Sequence, residues 1–145
     1  MTGFLGTTAS LSIDLNLILQ IVMFIIIGIG FLYKRAKNYR MHGSLMVVAV
    51  IFHIISFITV MGPRFHQYFN LLTTSTSELG VQTTWIHSIP GAIALILGIV
   101  LVAAWAYRPS NIAGCFKRKR LMDITIVLWL ISLIFGIATY VIFYL

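Results

Sequence analysis

Charge is scarce in this chain. Asp, Glu, Lys and Arg make up 9% of its 145 residues, against about a quarter in an ordinary water-soluble domain. So little charge cannot clothe a water-facing surface, and lipid is the expected solvent for most of the chain. Acids are scarcest: only Asp14, Glu78 and Asp123 are present, and no two are spaced for acid–base work. There is no glycine-rich phosphate loop and no nucleophile motif, which disfavours the chemistry of soluble transferases and hydrolases. The lone cysteine, Cys115, makes no intramolecular disulfide and no Cys-x-x-Cys-His attachment motif. It lies in a basic loop and reads as a reduced thiol on the cytoplasmic side. No basic residue precedes the first apolar run, and that run is too long for a signal peptide, so no cleaved leader is expected.

What is abundant is apolar. Hydrophobic residues are 60% of the chain, gathered in four runs near the roughly 20 residues that cross a bilayer. The runs are about 11–33, 44–61, 85–107 and 121–145, and the second could begin a turn earlier, near His42. Lys34-Arg35, Gly62-Pro63 and Arg108-Pro109 stop the first three. Backbone groups in lipid must be satisfied within their own segment, so each run is read as a helix. The fold class expected is all-α: an integral membrane four-helix bundle in a single domain.

The ten Lys and Arg residues give a net charge of +7, but they do not form a nucleic-acid groove. They cluster in Lys34, Arg35, Lys37 and Arg40 after the first run, and in Arg108 and Lys117 to Arg120 after the third. The loop after the second run carries only Arg64 and Glu78. The positive-inside rule places the two basic loops in the cytoplasm, with the central loop and both termini outside. Tyr33, Trp85, Trp105, Tyr107, Tyr140 and Tyr144 mark helix ends, as an interfacial belt would. Phe65, Tyr68, Phe69 and Leu72 recur at helical spacing, which suits a segment lying on the membrane surface as well as a merely ordered loop. Thr73 to Ser77 reads as a flexible turn.

Histidine carries the candidate chemistry. His42, His53, His66 and His87 are present, and ionisable groups inside a bilayer are costly and tend to be functional. His53 falls near the middle of the second run. His42, Met46, Ala49, His53 and Phe57 share one helix face, which should look into the bundle. His87, Gly91, Ala94 and Gly98 form a matching stripe on the third helix. Small residues there permit close helix packing; they also leave room for a flat macrocycle beside a ligating imidazole. A structural histidine bonded to a backbone carbonyl is the competing reading for each. Depth is a difficulty for pairing His53 with His87. His53 lies roughly 12 Å from its helix end, and His87 about 3 Å if the third helix starts at Trp85. The pair requires that helix to start earlier, near Val81, or the second helix to be tilted; His66 with His87 is the alternative at the outer rim. Asn16 and Gln20 share a face and should bond across to another helix. Asp14 is expected to be solvated at the outer boundary, and Asp123 to pair with the basic run just before it.

The order of these features resembles the YozB-like family of small four-helix membrane proteins. The likeness runs from Asn16 through Tyr39-Arg40-Met41-His42 with Met46 and Ala49, then Ile86-His87, the basic run before the fourth helix, Trp129, Gly136 and Tyr140. Where the family places a histidine in that basic run this chain has Arg118, and His53 replaces a small residue. The resemblance implies a link to respiratory membranes and to the assembly of haem-copper oxidases.

These readings converge on a multi-pass protein of the cytoplasmic membrane that binds one b-type haem toward the outer half of the bundle. His53 and His87 would be axial ligands, Gly91 and Gly98 would make room for the ring, and His42 and His66 are the reserve ligands. Its expected role is passing electrons between a quinol-type carrier and an outside acceptor, or accessory work for respiratory oxidase subunits, rather than an enzyme activity. The rival is a cofactor-free assembly factor. A proton-coupled carrier using His53 ranks third, because four unbroken helices make a poor transporter.

Overall fold

The computed structural model describes residues 3–107 and 117–145; Arg108, Pro109 and Cys115, on which three expectations rest, lie outside them. In chain order the elements are α1 (Leu11–Arg35), α2 (Tyr39–Ser56), a π-helical turn (Phe57–Met61), α3 (Gly62–Gln67), α4 (Phe69–Thr74), α5 (Leu79–Ala106) and α6 (Lys119–Tyr144). No strand occurs among the described residues. Four helical runs there are each long and apolar enough to cross a membrane: α1, the continuous path from α2 through α3, α5 and α6.

The chain folds as two antiparallel helix hairpins, α1–α2 and α5–α6, joined chiefly along α2 and α5. The turn between α1 and α2 is only Ala36 to Asn38. Asn38 N–H donates to Tyr33 O at 2.9 Å and Lys37 N–H to Lys34 O at 3.1 Å, closing a Schellman-type cap with Lys37 left-handed at φ 58°. Asn38 then caps α2 by accepting from Met41 N–H at 3.2 Å.

Two helix boundaries differ from the sequence reading, each for a local reason. Gly62-Pro63 does not end the second helix. A proline ring collides with the carbonyl four residues back and supplies no N–H. The π-helical turn widens the backbone just before Pro63, and the chain continues helically to Gln67. The third helix begins at Leu79, not Trp85. Thr83 and Thr84 read as loop, but their hydroxyls donate to Gly80 O at 3.0 and 2.7 Å, which lets them sit in an apolar helix. Pro90 lies inside α5, so the α2 path and α5 are both interrupted, whereas α1 and α6 are not.

The interior is narrow. Met23, Ala94 and Trp129 form its centre, with Phe24 stacked on Trp129 at 6.3 Å. Most outward residues are apolar: Ile58, Ile96 and Ile134 are each more than 60% exposed. Over thirty large apolar side chains are exposed. An apolar surface that extensive is far larger than a soluble monomer shows, and it suits contact with lipid.

Both basic segments lie at one end of the bundle, where Lys34 Nζ stands 3.9 Å from Asp123 Oδ1. Asp123 therefore pairs across to the first basic segment, not with the run beside it. The termini share the other end, where Thr8 N–H donates to Tyr144 O at 3.2 Å. Of the expected flexible turn, Thr73 and Thr74 close α4 and Ser75 to Ser77 form the turn. The belt residues are not all interfacial: Tyr140 is buried, and Trp85 turns its indole N–H to Leu72 O at 3.1 Å.

Candidate functional site

The histidine face on α2 points inward as far as His53. His42, Ala49 and His53 are buried, whereas Phe57, the first residue of the π-helical turn, is exposed. His42 Nδ1–H donates to Gly30 O at 2.9 Å. That bond fixes the tautomer and leaves Nε2 with its lone pair. A Cβ at Gly30 would stand in ordinary contact, 3.7 Å from His42 Nδ1, and would displace the Met46 methyl.

His53 differs from the other buried histidines: it makes no hydrogen bond among the described residues although only 8% of it is exposed. It lines a cavity of about 610 Å³, within the roughly 300–1,000 Å³ range of ligand pockets. The cavity runs from His53, Ala94 and Trp129 in mid-bundle down to His42, Trp105 and Arg118 at the basic end. Gly98 forms part of its wall, where a Cβ would stand 3.2 Å from Val50.

His87 is held by α6. Its Nδ1–H donates to Ser132 O at 2.7 Å, and Ser132 Oγ donates back to His87 O at 2.8 Å. Pro90 supplies no N–H to Ile86 O, and the Ser132 hydroxyl reaches the neighbouring carbonyl, that of His87. Gly136 leaves space for the His87 ring, and Gly91 leaves space for Ser132. Gly91 is thus buried as expected, but against a helix and away from the larger cavity. Because α5 starts at Leu79, His87 lies about 12 Å along it, but the α2 path runs on to Gln67, which puts His53 about 21 Å from its own outer end. The two rings line different spaces: His87 faces a second cavity of about 350 Å³ with Asn16, Gln20 and Tyr140. His66 is exposed on α3 and lines neither.

Asn16 and Gln20 reach across to α2 as expected. Gln20 Nε2 donates to Ser56 Oγ at 3.1 Å, and Ser56 Oγ donates to Asn16 Oδ1 at 2.5 Å. Asp14 is a correction: it is fully buried. Tyr140 Oη donates to its carboxylate at 2.5 Å, Leu5 N–H at 3.0 Å and Thr7 Oγ1 at 3.4 Å. The segment before α1 folds over it, and nothing local in the sequence signals a partner 126 residues away. Trp105 was also missed. Its indole lies against Gly43, with a buried N–H that has no acceptor among the described residues.

Among the described residues no three His, Cys, Asp or Glu side chains converge as a metal cage would require. A bare ion is therefore poorly served. A group that brings its own equatorial ligands needs only one or two protein donors, and single imidazoles can provide those. No family model, curated protein or solved structure matches this chain.

Proposed function

We propose that this chain is a multi-pass protein of the cytoplasmic membrane, basic loops inside and termini outside, that binds one b-type haem in the cavity below His53. It would serve respiratory electron transfer or the maturation of a haem-copper oxidase. The observation that carries the reading is His53: an imidazole without a hydrogen bond among the described residues, facing a largely apolar space of about 610 Å³. A neutral imidazole is a good axial donor, and an apolar wall retains a porphyrin. Ala94 and Gly98 are the small residues of that wall. Such a haem supplies one-electron chemistry; the protein supplies the ligand, the dry wall and the depth. His87 faces the second cavity, so the ligand assigned to this haem is His53, and His87 would bear on it only indirectly. The haem reading now favours the basic half of the bundle rather than the outer half, because the space beside His53 opens that way.

The test is purification in detergent from cells supplied with haem. A Soret band that sharpens and shifts on reduction is expected, lost in His53→Ala, altered in His87→Ala and unchanged in His66→Ala. A cofactor-free accessory role with an oxidase subunit is the second reading, favoured by the exposed apolar rows on α1 and α6. A colourless, folded protein without affinity for added haem would put it first.

A further inference from the structure

The second cavity, of about 350 Å³, plays no part in the haem reading. It lies toward the end where the termini meet, since Arg64, Tyr68 and Tyr144 share its lining. Its wall is largely apolar, with Ile13 and Leu17 from α1 and Leu133 and Ile137 from α6. Those two helices do not pack closely on each other, and a gap between lipid-facing helices admits molecules dissolved in the bilayer.

Three polar residues of the lining have atoms that keep some accessible surface and have no partner among the described residues. Bonds elsewhere decide which atoms these are. Gln20 Nε2–H donates to Ser56 Oγ, so the Ser56 proton goes to Asn16 Oδ1. Gln20 is left with Oε1, an acceptor, and Asn16 with Nδ2–H, a donor. His87 Nδ1–H is spent on Ser132 O, which leaves Nε2 as a second acceptor. The hydroxyls of Thr84, Thr139 and Tyr140 already donate to Gly80, Phe135 and Asp14. Ser88 adds a hydroxyl able to donate or accept. The cavity thus sets two acceptors against one dedicated donor. Asn16 and Gln20 lie about 8 and 14 Å along α1, and His87 about 12 Å along α5. An uncharged head group suits that depth, where a charge is costly.

We propose that the second cavity binds the head group of a membrane hydroquinone and takes this reduced form in preference to the oxidised quinone. A hydroquinone carries two O–H groups, which can donate to His87 Nε2 and Gln20 Oε1, and its oxygens accept from Asn16 Nδ2–H. A quinone only accepts, so it would cover both protein acceptors without satisfying either, at a cost. Its aromatic ring and apolar tail match the rest of the wall. Ser56, which orients Asn16 and Gln20, stands one turn of α2 from His53, so the site adjoins the larger cavity. Binding here needs no haem, because every contact comes from side chains of this chain.

The test is calorimetric titration of the detergent-purified full chain, under argon, with a decyl-substituted benzohydroquinone, its quinone and its dimethyl ether. The ether keeps the ring and removes both O–H donors. The hydroquinone should bind about tenfold or more tightly than either. Gln20→Met and His87→Phe each remove one acceptor while keeping bulk, and should shrink that ratio with ether binding largely unchanged. Equal binding of the three probes by the unaltered protein would make the cavity a cleft for lipid chains and overturn the proposal, as would no binding of the hydroquinone. A preference that survives both substitutions would overturn the assignment to Gln20 and His87. A colourless protein that still prefers the hydroquinone would remove the haem reading and leave this site standing. The comparison of probes on the unaltered chain needs no variant to fold.

Discussion

Gly98 shows how one missing side chain can decide whether the bundle has a cavity. A Cβ there would stand 3.2 Å from Val50, so alanine needs only a small adjustment, whereas leucine would fill the space beneath His53. Gly98→Leu should cost about 1–3 kcal/mol from overpacking and abolish haem binding; Leu97→Ile, a volume-conserving change, should lower the melting temperature little and leave the spectrum intact. Asp14 makes the opposite point. A buried carboxylate is tolerated because Tyr140, Thr7 and the Leu5 amide all donate to it. Asp14→Ala leaves those donors without an acceptor and should cost about 2 kcal/mol. Hydrogen exchange at the Leu5 amide should rise sharply, and unchanged protection there would contradict the role given to Asp14. Its burial was illegible in the sequence because its main partner lies at the far end of the chain. Asn16 and Gln20 were legible, because their helical spacing alone predicts a shared face.

Helix number followed from hydropathy, and the starts of α1 and α6 from the edges of their apolar runs. The errors fell where polar or helix-breaking residues are satisfied by something beyond a linear pattern. Threonines that bond back to Gly80 O hid the start of α5, and the π-helical turn carried the chain past Pro63. The inward stripe ends at His53, and Phe57, where that turn begins, is exposed. The α1–α2 turn offers a separable test, since it lies outside both cavities. Lys37 is left-handed at φ 58°, which costs an L-residue about 1–2 kcal/mol relative to glycine. Lys37→Gly should therefore stabilise the protein by about 1 kcal/mol in thermal unfolding. Asn38→Ala should destabilise it by a similar amount through loss of the cap. The reverse order would mean that the turn is not closed by this motif.

For the assembled bundle, orientation and cofactor are the two claims to check. Lys34 and Asp123 tie the basic segments together at one end, while Thr8 and Tyr144 join the termini at the other. A single labelling result therefore orients the whole protein. A cysteine placed at Ser75 should react with an impermeant thiol reagent in intact cells, while the native Cys115 should not; the reverse pattern would invert the topology. The four histidines could be found in the sequence, and so could the burial of His42 and His53. What could not be read there was which imidazoles were already hydrogen-bonded, because Gly30 O and Ser132 O come from other helices. The most direct measurement is a reduced-minus-oxidised difference spectrum of the detergent-purified protein beside His53→Ala. The account requires a b-type spectrum in the first and none in the second, with both folded by circular dichroism. An unaltered spectrum in His53→Ala, or none in the native protein after haem is added, would contradict it.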